Sequence, residues 1–296
     1  MPVDHSAPRR LRALGGVLAL GAGATAYSLY EARRPRLEIV DVPVARGPRM
    51  SILHIADTHL TGRATPLTRW LRSLPGLLPE EPDLILGTGD FIEDNSGIDR
   101  FLEAISSLEA RSGKYYVFGS HDYYQSRFKP ITRYFSDRHE MPTVRADTNR
   151  LEAGLDERGW IPLLNRDTIT DIGGQKVRLS GVNDPYIRLH RTEHIERARS
   201  DGLAIGMMHA PDLVSQWALN DYDLILAGHT HGGQIRLPLV GAVVTNSTLP
   251  AVLAMGLNRI GNTWLYVSPG LGTSRYAPIR ALAPPAATLL QLRPAG

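Results

Sequence analysis

Histidines and aspartates follow apolar runs at five places in this sequence of 296 residues. The runs with their polar ends are residues 51–59, 84–90, 116–122, 205–209 and 224–231. Aspartate carboxylates supply hard oxygen ligands, and neutral imidazoles suit zinc, iron, manganese or nickel. This set of side chains therefore predicts a cluster of two divalent metal ions with nitrogen and oxygen as the ligand atoms.

The apolar runs also predict the elements that position these side chains. Short runs of this kind are typical of buried β-strands, and a polar residue at the carboxyl end of such a strand lies where open α/β sheets place their ligands. We therefore expect the carboxylates and imidazoles to meet at one edge of a sheet. Several such groups buried together would be costly without a cation to compensate them.

Around these runs the sequence alternates strands with helices, as expected for an α/β sandwich. Helical patterns begin at four places, which are Pro66, Ile98, Pro185 and a point near Pro211. The third of these helices is expected to run to about Arg199. Gly173-Gly174 predicts a hairpin turn, and the aperiodic segment 123–150 predicts an insertion over the site.

The composition limits the chemistry that this chain can perform. A hydrophobic content of 43% is ordinary for a globular protein. The sequence has no cysteine, which excludes disulfides, thiolate zinc sites and cysteine nucleophiles. The net charge of +3 indicates solubility and a preference for anionic partners rather than binding to a nucleic-acid polymer. We expect the chain to be a monomer.

The amino-terminal segment, residues 1–36, is predicted to be separate from the domain that follows it, residues 37–296. Arginines precede an uncharged stretch, residues 13–30, that is rich in Leu, Ala and Gly. Its length is at the lower limit for spanning a bilayer and above the apolar core of most cleaved signal peptides. We interpret it as an uncleaved signal anchor that leaves the larger domain outside the cytoplasm. A cleaved export signal and a cytoplasm-facing domain are the alternatives.

The polar ends of the five runs resemble, in order and spacing, the motifs of the calcineurin-like metallophosphoesterase family. These motifs are Asp57-x-His59, Gly89-Asp90, Gly119-Ser120-His121-Asp122, His209 and Gly228-His229-Thr230-His231. The resemblance covers roughly residues 50–280. It implies a four-layer α/β/β/α sandwich of two mixed sheets with flanking helices. It also implies a site for two divalent metal ions, with Mn, Zn, Fe and Ni as the candidates.

The resemblance also implies a role for each matching residue. Asp57, His59 and His231 would hold one metal, His209 and His229 would hold the second with Ser120 completing it, and Asp90 would bridge the two. Two such metals lower the pKa of a shared water molecule and clamp the phosphoryl oxygens of the substrate. His121 would protonate the leaving oxygen. Glu93, Asp94 and Asp122 are the candidates for the acceptor that orients His121.

Ser120 departs from the family pattern, in which this position is usually asparagine. A serine hydroxyl is shorter than an asparagine side chain and is a weaker ligand when it is neutral. We therefore expect a looser second metal but retained hydrolysis, because every other ligand is present. The alternative hypothesis is a non-catalytic scaffold that binds metal.

The carboxyl-terminal part suggests a substrate class. Residues 181–185 and 268–274, with Arg280 downstream, resemble the membrane-associated branch of the family that includes UDP-2,3-diacylglucosamine pyrophosphatase-like enzymes. This implies hydrolysis of a phosphodiester or pyrophosphate bond in a lipid or cell-envelope precursor. Arg275 and Arg280 are the candidate contacts to substrate phosphate, or else solvated surface side chains. An exported phosphomonoesterase or nucleotide phosphodiesterase is the alternative function.

Overall fold

The computed structural model describes residues 7–126, 143–195 and 202–294. A first mixed sheet has the strand order β1-β14-β2-β3-β4-β5. Its strands are β1 (Arg36–Val44), β2 (Met50–Ile55), β3 (Leu84–Thr88), β4 (Lys114–Val117), β5 (Trp160–Pro162) and β14 (Ala286–Pro294). Strands β2 to β5 run parallel, and β14 is antiparallel to β2. The carboxyl ends of β2, β3 and β4 therefore lie at one edge.

A second mixed sheet has the order β12-β13-β9-β8-β7-β6. Its strands are β6 (Arg166–Ile172), β7 (Gln175–Gly181), β8 (Leu203–Met207), β9 (Leu224–Ala227), β12 (Gly256–Ile260) and β13 (Thr263–Val267). The central strands β7, β8, β9 and β13 are parallel, and the outer pairs are antiparallel. A short hairpin of β10 (Arg236–Leu237) and β11 (Gly241–Ala242) stands outside both sheets.

Helices cover the outer faces of the two sheets. The helices are α1 (Ala7–Glu31), α2 (Pro66–Ser73), α3 (Ile98–Ala104), α4 (Ser120–Tyr123), α5 (Thr148–Asp156) and α6 (Val214–Leu219). Apolar side chains of α2, α3 and α5 form one core with the first sheet, and those of α6 form another with the second sheet. A third core lies between the sheets. The predicted four-layer α/β/β/α sandwich is therefore confirmed.

The alternation of side chains along the buried strands explains this layering. Ile52 faces the core between the sheets, whereas its neighbour Leu53 faces the helices. Both side chains are fully buried, because each strand is covered on both faces. Continuous apolar runs, rather than alternating ones, are the expected sequence of such strands.

Several predicted elements are confirmed. Thr65 caps α2 by accepting from the backbone N–H of Thr68, and Pro66 begins the helix. Helix α3 begins at Ile98, and a 3₁₀ turn at Pro211–Leu213 leads into α6. The Gly173-Gly174 turn joins β6 to β7. Local capping and turn chemistry specified these elements without tertiary information.

The helix predicted from Pro185 to about Arg199 is wrong for the part that the structure describes. Residues up to Ile195 form turns, and residues 196–201 lie outside the described chain. Asn165 Oδ1 accepts from the backbone N–H of Arg191, a donor that the interior of the predicted helix would use. This contact from a distant part of the chain competes with the intrahelical hydrogen bond.

The predicted insertion, residues 123–150, lies largely outside the described residues, since 127–142 are not among them. Helix α5 begins at Thr148, inside the predicted insertion, and contributes to the core beneath the first sheet. The end of this segment therefore belongs to the framework.

Helix α1 projects from the domain. Its side chains from Ala19 to Tyr27 are exposed, while Glu31 at its end is buried. Within residues 7–126, 143–195 and 202–294, no helix combines the length and the apolar character needed to cross a membrane.

Candidate metal centre

Three groups of side chains in the described part of the chain could hold a metal ion, and two of them share no member and lie where the parallel strands end. Asp57, His59 and His231 form one of these two, and Asp90, His209 and His229 form the other. The third contains Glu93 and His121 and shares His59 with the first. In each group the ligand atoms lie within 4.8 Å of one another. The first group combines residues that follow β2 and β9, and the second combines residues that follow β3, β8 and β9. Both sheets therefore contribute to one site.

The Asp90 carboxylate lies between the two groups. Its Oδ2 atom is 3.2 Å from Nε2 of His209 and 3.6 Å from Nε2 of His59. Its Oδ1 atom accepts a hydrogen bond from the backbone N–H of His121 at 2.8 Å. This orientation suits a carboxylate that contacts two cations.

Hydrogen bonds from the outer side of the imidazole rings set which nitrogen faces the centre. Nδ1 of His209 donates to the backbone carbonyl of Thr88 at 2.7 Å, and Nε2 of His229 donates to that of Asn246 at 3.0 Å. The inward nitrogens of these two histidines then lie 3.3 Å apart. Once His209 has lost its inward proton, the two facing lone pairs fit a shared cation, and such outer contacts are typical of metal-binding histidines.

Arg280 takes a different position from the predicted phosphate contact. Its side chain is fully buried, and its two Nη atoms donate to the backbone carbonyls of Pro269, Gly270, Gly272 and Ala283. Nη2 also donates to Nδ1 of His231 at 3.2 Å. A fully buried side chain held by these acceptors is not exposed to substrate. Its position instead orients His231 from beneath the centre.

Arg275 remains at the surface of the site. Its partly exposed guanidinium pairs with Asp94, and its backbone N–H donates to Oε1 of Glu93 at 2.9 Å. Glu93 also contacts His59, so a single side chain links the backbone of Arg275 to the first group of candidate ligands. A substrate phosphate would compete with Asp94 for this guanidinium.

The backbone at the candidate ligands is unusual. Five of the six residues have positive φ angles, which are Asp57 at 51°, His59 at 43°, Asp90 at 52°, His229 at 70° and His231 at 50°. Residues other than glycine rarely adopt this conformation, and each instance carries a cost on the order of 1–3 kcal/mol. Left-handed backbone turns the side chain sharply away from the strand that precedes it. The fold therefore tolerates strain to direct these groups inwards.

Two glycines allow the backbone to approach the carboxylates. A Cβ atom at Gly228 would overlap Oδ2 of Asp57, and one at Gly119 would overlap Oδ1 of Asp90. The backbone N–H of His229, next to Gly228, donates to both carboxylate oxygens of Asp57 at 3.0 and 3.1 Å. A side chain at either glycine would displace a candidate ligand.

A family model described as calcineurin-like phosphoesterase matches residues 50–233, a range that contains both groups of side chains. The chain belongs to the calcineurin-like phosphoesterase family. The resemblance to this family is therefore confirmed. The match ends just after His231, so the carboxyl-terminal part with Arg275 and Arg280 lies beyond it.

Relatives of this phosphoesterase occur in bacteria and in animals. The uncharacterized metallophosphoesterase YkoQ of Bacillus subtilis is 27% identical over 229 residues, covering 76% of this chain and 77% of that protein. Phosphodiesterase YaeI of Escherichia coli is 27% identical over 243 residues, covering 81% of each chain. A Bos taurus protein named "transmembrane protein with metallophosphoesterase domain" is 30% identical over 267 residues, covering 82% of this chain and 54% of that protein.

Family membership makes the chain a metal-dependent phosphoester hydrolase. The family uses divalent metals, and the two groups of Asp and His side chains fit such ions through nitrogen and oxygen donors. This conclusion contradicts the hypothesis of a non-catalytic scaffold.

Ser120 lies beside the second group of the phosphoesterase. It is buried and begins the short helix α4, between Gly119, which approaches Asp90 and His209, and His121, whose backbone contacts Asp90. Both neighbours of Ser120 in the chain thus contact the Asp90 carboxylate or lie against it.

Glu93 is the nearest of the three acceptors predicted for His121. Its Oε2 atom lies 3.8 Å from Nδ1 of His121, which has no hydrogen-bond partner within the described chain. Asp94 instead pairs with Arg275, and Asp122 accepts from the backbone N–H groups of Asp90, Phe91 and Gly119. Asp122 therefore holds the turn that carries Asp90, a role that the sequence analysis missed.

Two more carboxylates have positions that the sequence did not predict. Glu93 is a candidate acceptor for His121 by sequence, but its Oε2 atom accepts a hydrogen bond from Nδ1 of His59 at 2.7 Å. Asp184 is fully buried, and its Oδ2 atom has no hydrogen-bond partner within the described residues. The spacing of Glu93 three residues after Asp90 was the available signal for the first. For Asp184 the signal was an acidic residue three positions after the end of a buried strand.

Mutual charges within the centre shift the pKa values of its groups. Burial alone lowers the pKa of His59, but the hydrogen bond and charge of Glu93 outweigh burial and raise it to about 9. Burial also opposes protonation of His209, but the charge of Asp90 raises its pKa well above the ordinary value. Burial and the charge of His209 lower the pKa of His229 to about 4. His59 and His209 therefore carry protons that a metal ion must displace.

Proposed function

We propose that this phosphoesterase hydrolyses a phosphodiester or pyrophosphate bond with two divalent metal ions. The observation that carries the proposal is the position of Asp90 Oδ2, 3.2 Å from Nε2 of His209 and 3.6 Å from Nε2 of His59. One carboxylate oxygen between two imidazoles supports a bridging ligand. When bound, the two metals supply a nucleophile near neutral pH and stabilise charge on the phosphoryl oxygens.

The residues of each group have distinct tasks in this proposal. Asp57, His59 and His231 hold one cation, His209 and His229 hold the other, and Asp90 contacts both. Ser120 contributes a weak contact to the second cation through its hydroxyl or an intervening water. Mn, Zn, Fe and Ni remain the candidates, since the nitrogen and oxygen donors suit all four.

His121 is the proposed proton donor to the leaving oxygen. Its ring packs edge-on against that of His59, with centroids 4.7 Å apart, and about a quarter of its side chain is exposed. An exposed edge beside the first group is where a leaving oxygen would depart. Glu93, 3.8 Å away, favours a protonated Nδ1 on His121. Arg275, at the rim, contacts a substrate phosphate in exchange for Asp94.

The proposed substrate is a phosphoester of a lipid or a cell-envelope precursor. The Escherichia coli relative carries the name phosphodiesterase, which supports a diester, and the Bos taurus relative is named a transmembrane protein, which supports a membrane setting. The exposed and uncharged side chains of α1 from Ala19 to Tyr27 also favour attachment. We propose that residues 1–36 keep domain 37–296 at the extracytoplasmic surface of a membrane. Mass analysis of the mature amino terminus distinguishes this arrangement from cleavage and export.

The test is hydrolysis by the full chain after removal of metals and reconstitution with each of the four candidate ions. Bis-p-nitrophenyl phosphate, p-nitrophenyl phosphate, a dinucleotide diester and a nucleotide-linked lipid are compared as substrates. We expect turnover of the diester and of the lipid pyrophosphate, and its loss in Asp90→Asn but not in Asp99→Asn, whose side chain is exposed. Turnover of the monoester alone would favour the phosphomonoesterase alternative. Hydrolysis of nucleotide diesters without the lipid would favour a nucleotide phosphodiesterase.

A further inference from the structure

The β10–β11 hairpin exposes an apolar tip. Leu239 is fully exposed, Val240 is 71% exposed, and Leu237 and Val243 are about half exposed. Pro238 completes the tip, which contains no polar side chain from Leu237 to Val240. We call the side chains of residues 237–240 and 243 the hairpin patch. Contact of adjacent apolar side chains with water is unfavourable, so the hairpin patch indicates a surface that binds a partner or a membrane.

Backbone strain accompanies this exposure. Leu239 has a φ angle of 67°, a conformation that favours glycine or asparagine. A leucine that is both strained and fully exposed contributes nothing to the core of the domain. The geometry therefore points to a role for its side chain outside the protein.

The hairpin is attached to the metal centre at both ends. It follows the turn that His231 begins, and Gln234 ends that turn by donating its backbone N–H to the carbonyl of His231 at 2.9 Å. After the hairpin, the carbonyl of Asn246 accepts from Nε2 of His229 at 3.0 Å. Whatever binds the hairpin patch is thereby held close to the candidate metal ligands.

The hairpin and α1 share one supporting segment. The backbone N–H of Arg236 donates to the carbonyl of Ala281, and that of Arg280 donates to the carbonyl of Ser28 near the end of α1. Glu31, also at the end of α1, accepts from the backbone N–H of Ala283 at 2.9 Å. The hairpin patch and the exposed apolar helix therefore project from neighbouring points of the same surface.

The charge of this part of the chain is one-sided. Residues 224–296 contain no aspartate or glutamate and five arginines, which are Arg236, Arg259, Arg275, Arg280 and Arg293. The exposed Arg33 and Arg34 follow α1 directly. Arg280 is buried, so the cations nearest to the tip are Arg236 within the hairpin and Arg33 and Arg34 after α1. An apolar tip beside these cations complements a surface that has negative headgroups above an apolar interior.

We propose that the hairpin patch inserts into an anionic lipid bilayer and so holds the metal centre at the membrane surface. Leu239 and Val240 enter the acyl region, and Arg236, Arg33 and Arg34 contact the headgroups. This docking is independent of helix α1, which gives the chain a second contact with the same surface. It goes beyond the proposed hydrolysis, because binding to lipid requires neither metal nor turnover.

A single fluorescent label tests the insertion. The chain has no cysteine, so Val240→Cys in the full-length protein takes one environment-sensitive label such as NBD. The matched control is Leu219→Cys, at the end of α6, where the side chain is 80% exposed but lies outside the hairpin patch. Both proteins are mixed with vesicles of phosphatidylcholine alone and with vesicles that contain 30 mol% phosphatidylglycerol, an amount on the order used to mimic an anionic leaflet.

We expect the label at position 240 to become brighter and shift to the blue with the anionic vesicles, and the label at position 219 to remain unchanged. A label at position 240 that stays in water while the protein co-sediments with vesicles would overturn the proposal, since α1 would then be the sole contact. A change at position 240 that depends on protein concentration without vesicles would indicate a second copy of the chain and would also overturn it.

A second variant measures the contribution of the tip to affinity. Leu239→Asn combined with Val240→Asn removes two apolar side chains, and asparagine tolerates the left-handed backbone at position 239, so the fold is retained. Vesicle affinity should fall by about tenfold or more, which corresponds to burial of a single aliphatic side chain. Hydrolysis of bis-p-nitrophenyl phosphate in solution should not change. An unchanged vesicle affinity would contradict the insertion, whereas loss of hydrolysis by the wild-type chain would contradict only the proposed function.

Discussion

Glu93 accepts a hydrogen bond from Nδ1 of His59, with 2.7 Å between Nδ1 and Oε2. The carboxylate is fully buried, and its second oxygen accepts from the hydroxyl of Ser274 at 3.0 Å. The contact holds the ring so that Nε2 of His59 lies 3.1 Å from Nε2 of His231. A carboxylate behind an imidazole raises the basicity of the ring and strengthens it as a ligand.

Glu93→Gln should therefore weaken metal binding. The amide removes the negative charge behind His59, and loss of such an outer contact typically costs about 10–100-fold in metal affinity. Titration calorimetry with Mn²⁺ measures the change. Glu109→Gln, at an exposed position, is the control and should bind metal as the wild type does. Equal affinities of the Glu93 variant and the wild type would show that His59 does not bind metal.

His121→Ala should slow hydrolysis without removing metal. Loss of a general acid typically costs about 10²–10⁴-fold in rate, and the cost should be greatest for a substrate with a poor leaving group. A phenyl ester should therefore lose more rate than the p-nitrophenyl ester of the same phosphodiester. Metal content is measured in parallel by elemental analysis. An equal loss for both esters would argue against proton donation by His121.

Ser120→Asn should tighten the second metal. The asparagine carbonyl is longer and is a better ligand than a neutral hydroxyl, so the weaker of two Mn²⁺ binding steps should improve. Ser107→Asn, at an exposed position in the same part of the chain, serves as the control. If the second binding step does not change, the position of Ser120 is not a ligand position.

Metal affinity should rise with pH. The pKa of His59 is raised to about 9 and that of His209 lies well above its ordinary value, so both rings are protonated at neutral pH without metal. A cation needs the neutral imidazole and must displace these protons, and the competition weakens as pH increases from about 6 to 9. Calorimetry in buffers of different ionisation enthalpy measures the protons released. Binding that is independent of pH, with no proton release, would contradict the assignment of both ligands.

Asp184→Asn should stabilise the metal-free protein at neutral and higher pH. Burial raises the pKa of Asp184 from 3.8 to about 7, so the folded chain retains a proton that the unfolded chain loses between these values. This group's contribution to stability is therefore greatest at low pH and decreases as the pH rises to about 7.

The amide cannot ionise, so the variant avoids the cost of burying a charged carboxylate. The gain in the free energy of unfolding above pH 7 should be about 2 to 4 kcal/mol, because one pKa unit corresponds to about 1.4 kcal/mol. Urea unfolding of both proteins in EDTA, at pH 4.5 and pH 8, measures the difference. A gain of equal size at both pH values would point to packing rather than to the charge.

Much of the site was predictable because it is encoded locally. Asp57, Asp90 and His209 each follow a buried apolar run directly, and parallel strands bring their carboxyl ends to one edge. Side-chain type and order along the chain therefore predicted which residues meet at this edge, and the resemblance to the family implied the layers of the fold. The α2 helix was equally local, since Thr65 and Pro66 specify its start.

The roles of Glu93 and Arg280 depended on contacts between distant segments. Glu93 contacts Ser274 and Arg275, 181 and 182 residues later in the chain. Arg280 is buried because the carbonyls of residues 269–283 close around its guanidinium, an arrangement that composition and periodicity do not encode. Sequence alone predicted an arginine near phosphate, but only packing distinguishes an exposed guanidinium from a buried one.

The helix predicted at Pro185 failed for a related reason. Asn165 is 26 residues from Arg191, yet its side chain takes the backbone donor that a helix would have used. Periodic patterns and capping residues reflect interactions between residues that are close in sequence. They predict a helix reliably where these local interactions outweigh contacts with distant segments. Where a polar side chain from another segment satisfies the backbone donor, the tertiary contact can determine the conformation, because differences in helical propensity are below about 1 kcal/mol per residue for most residue types.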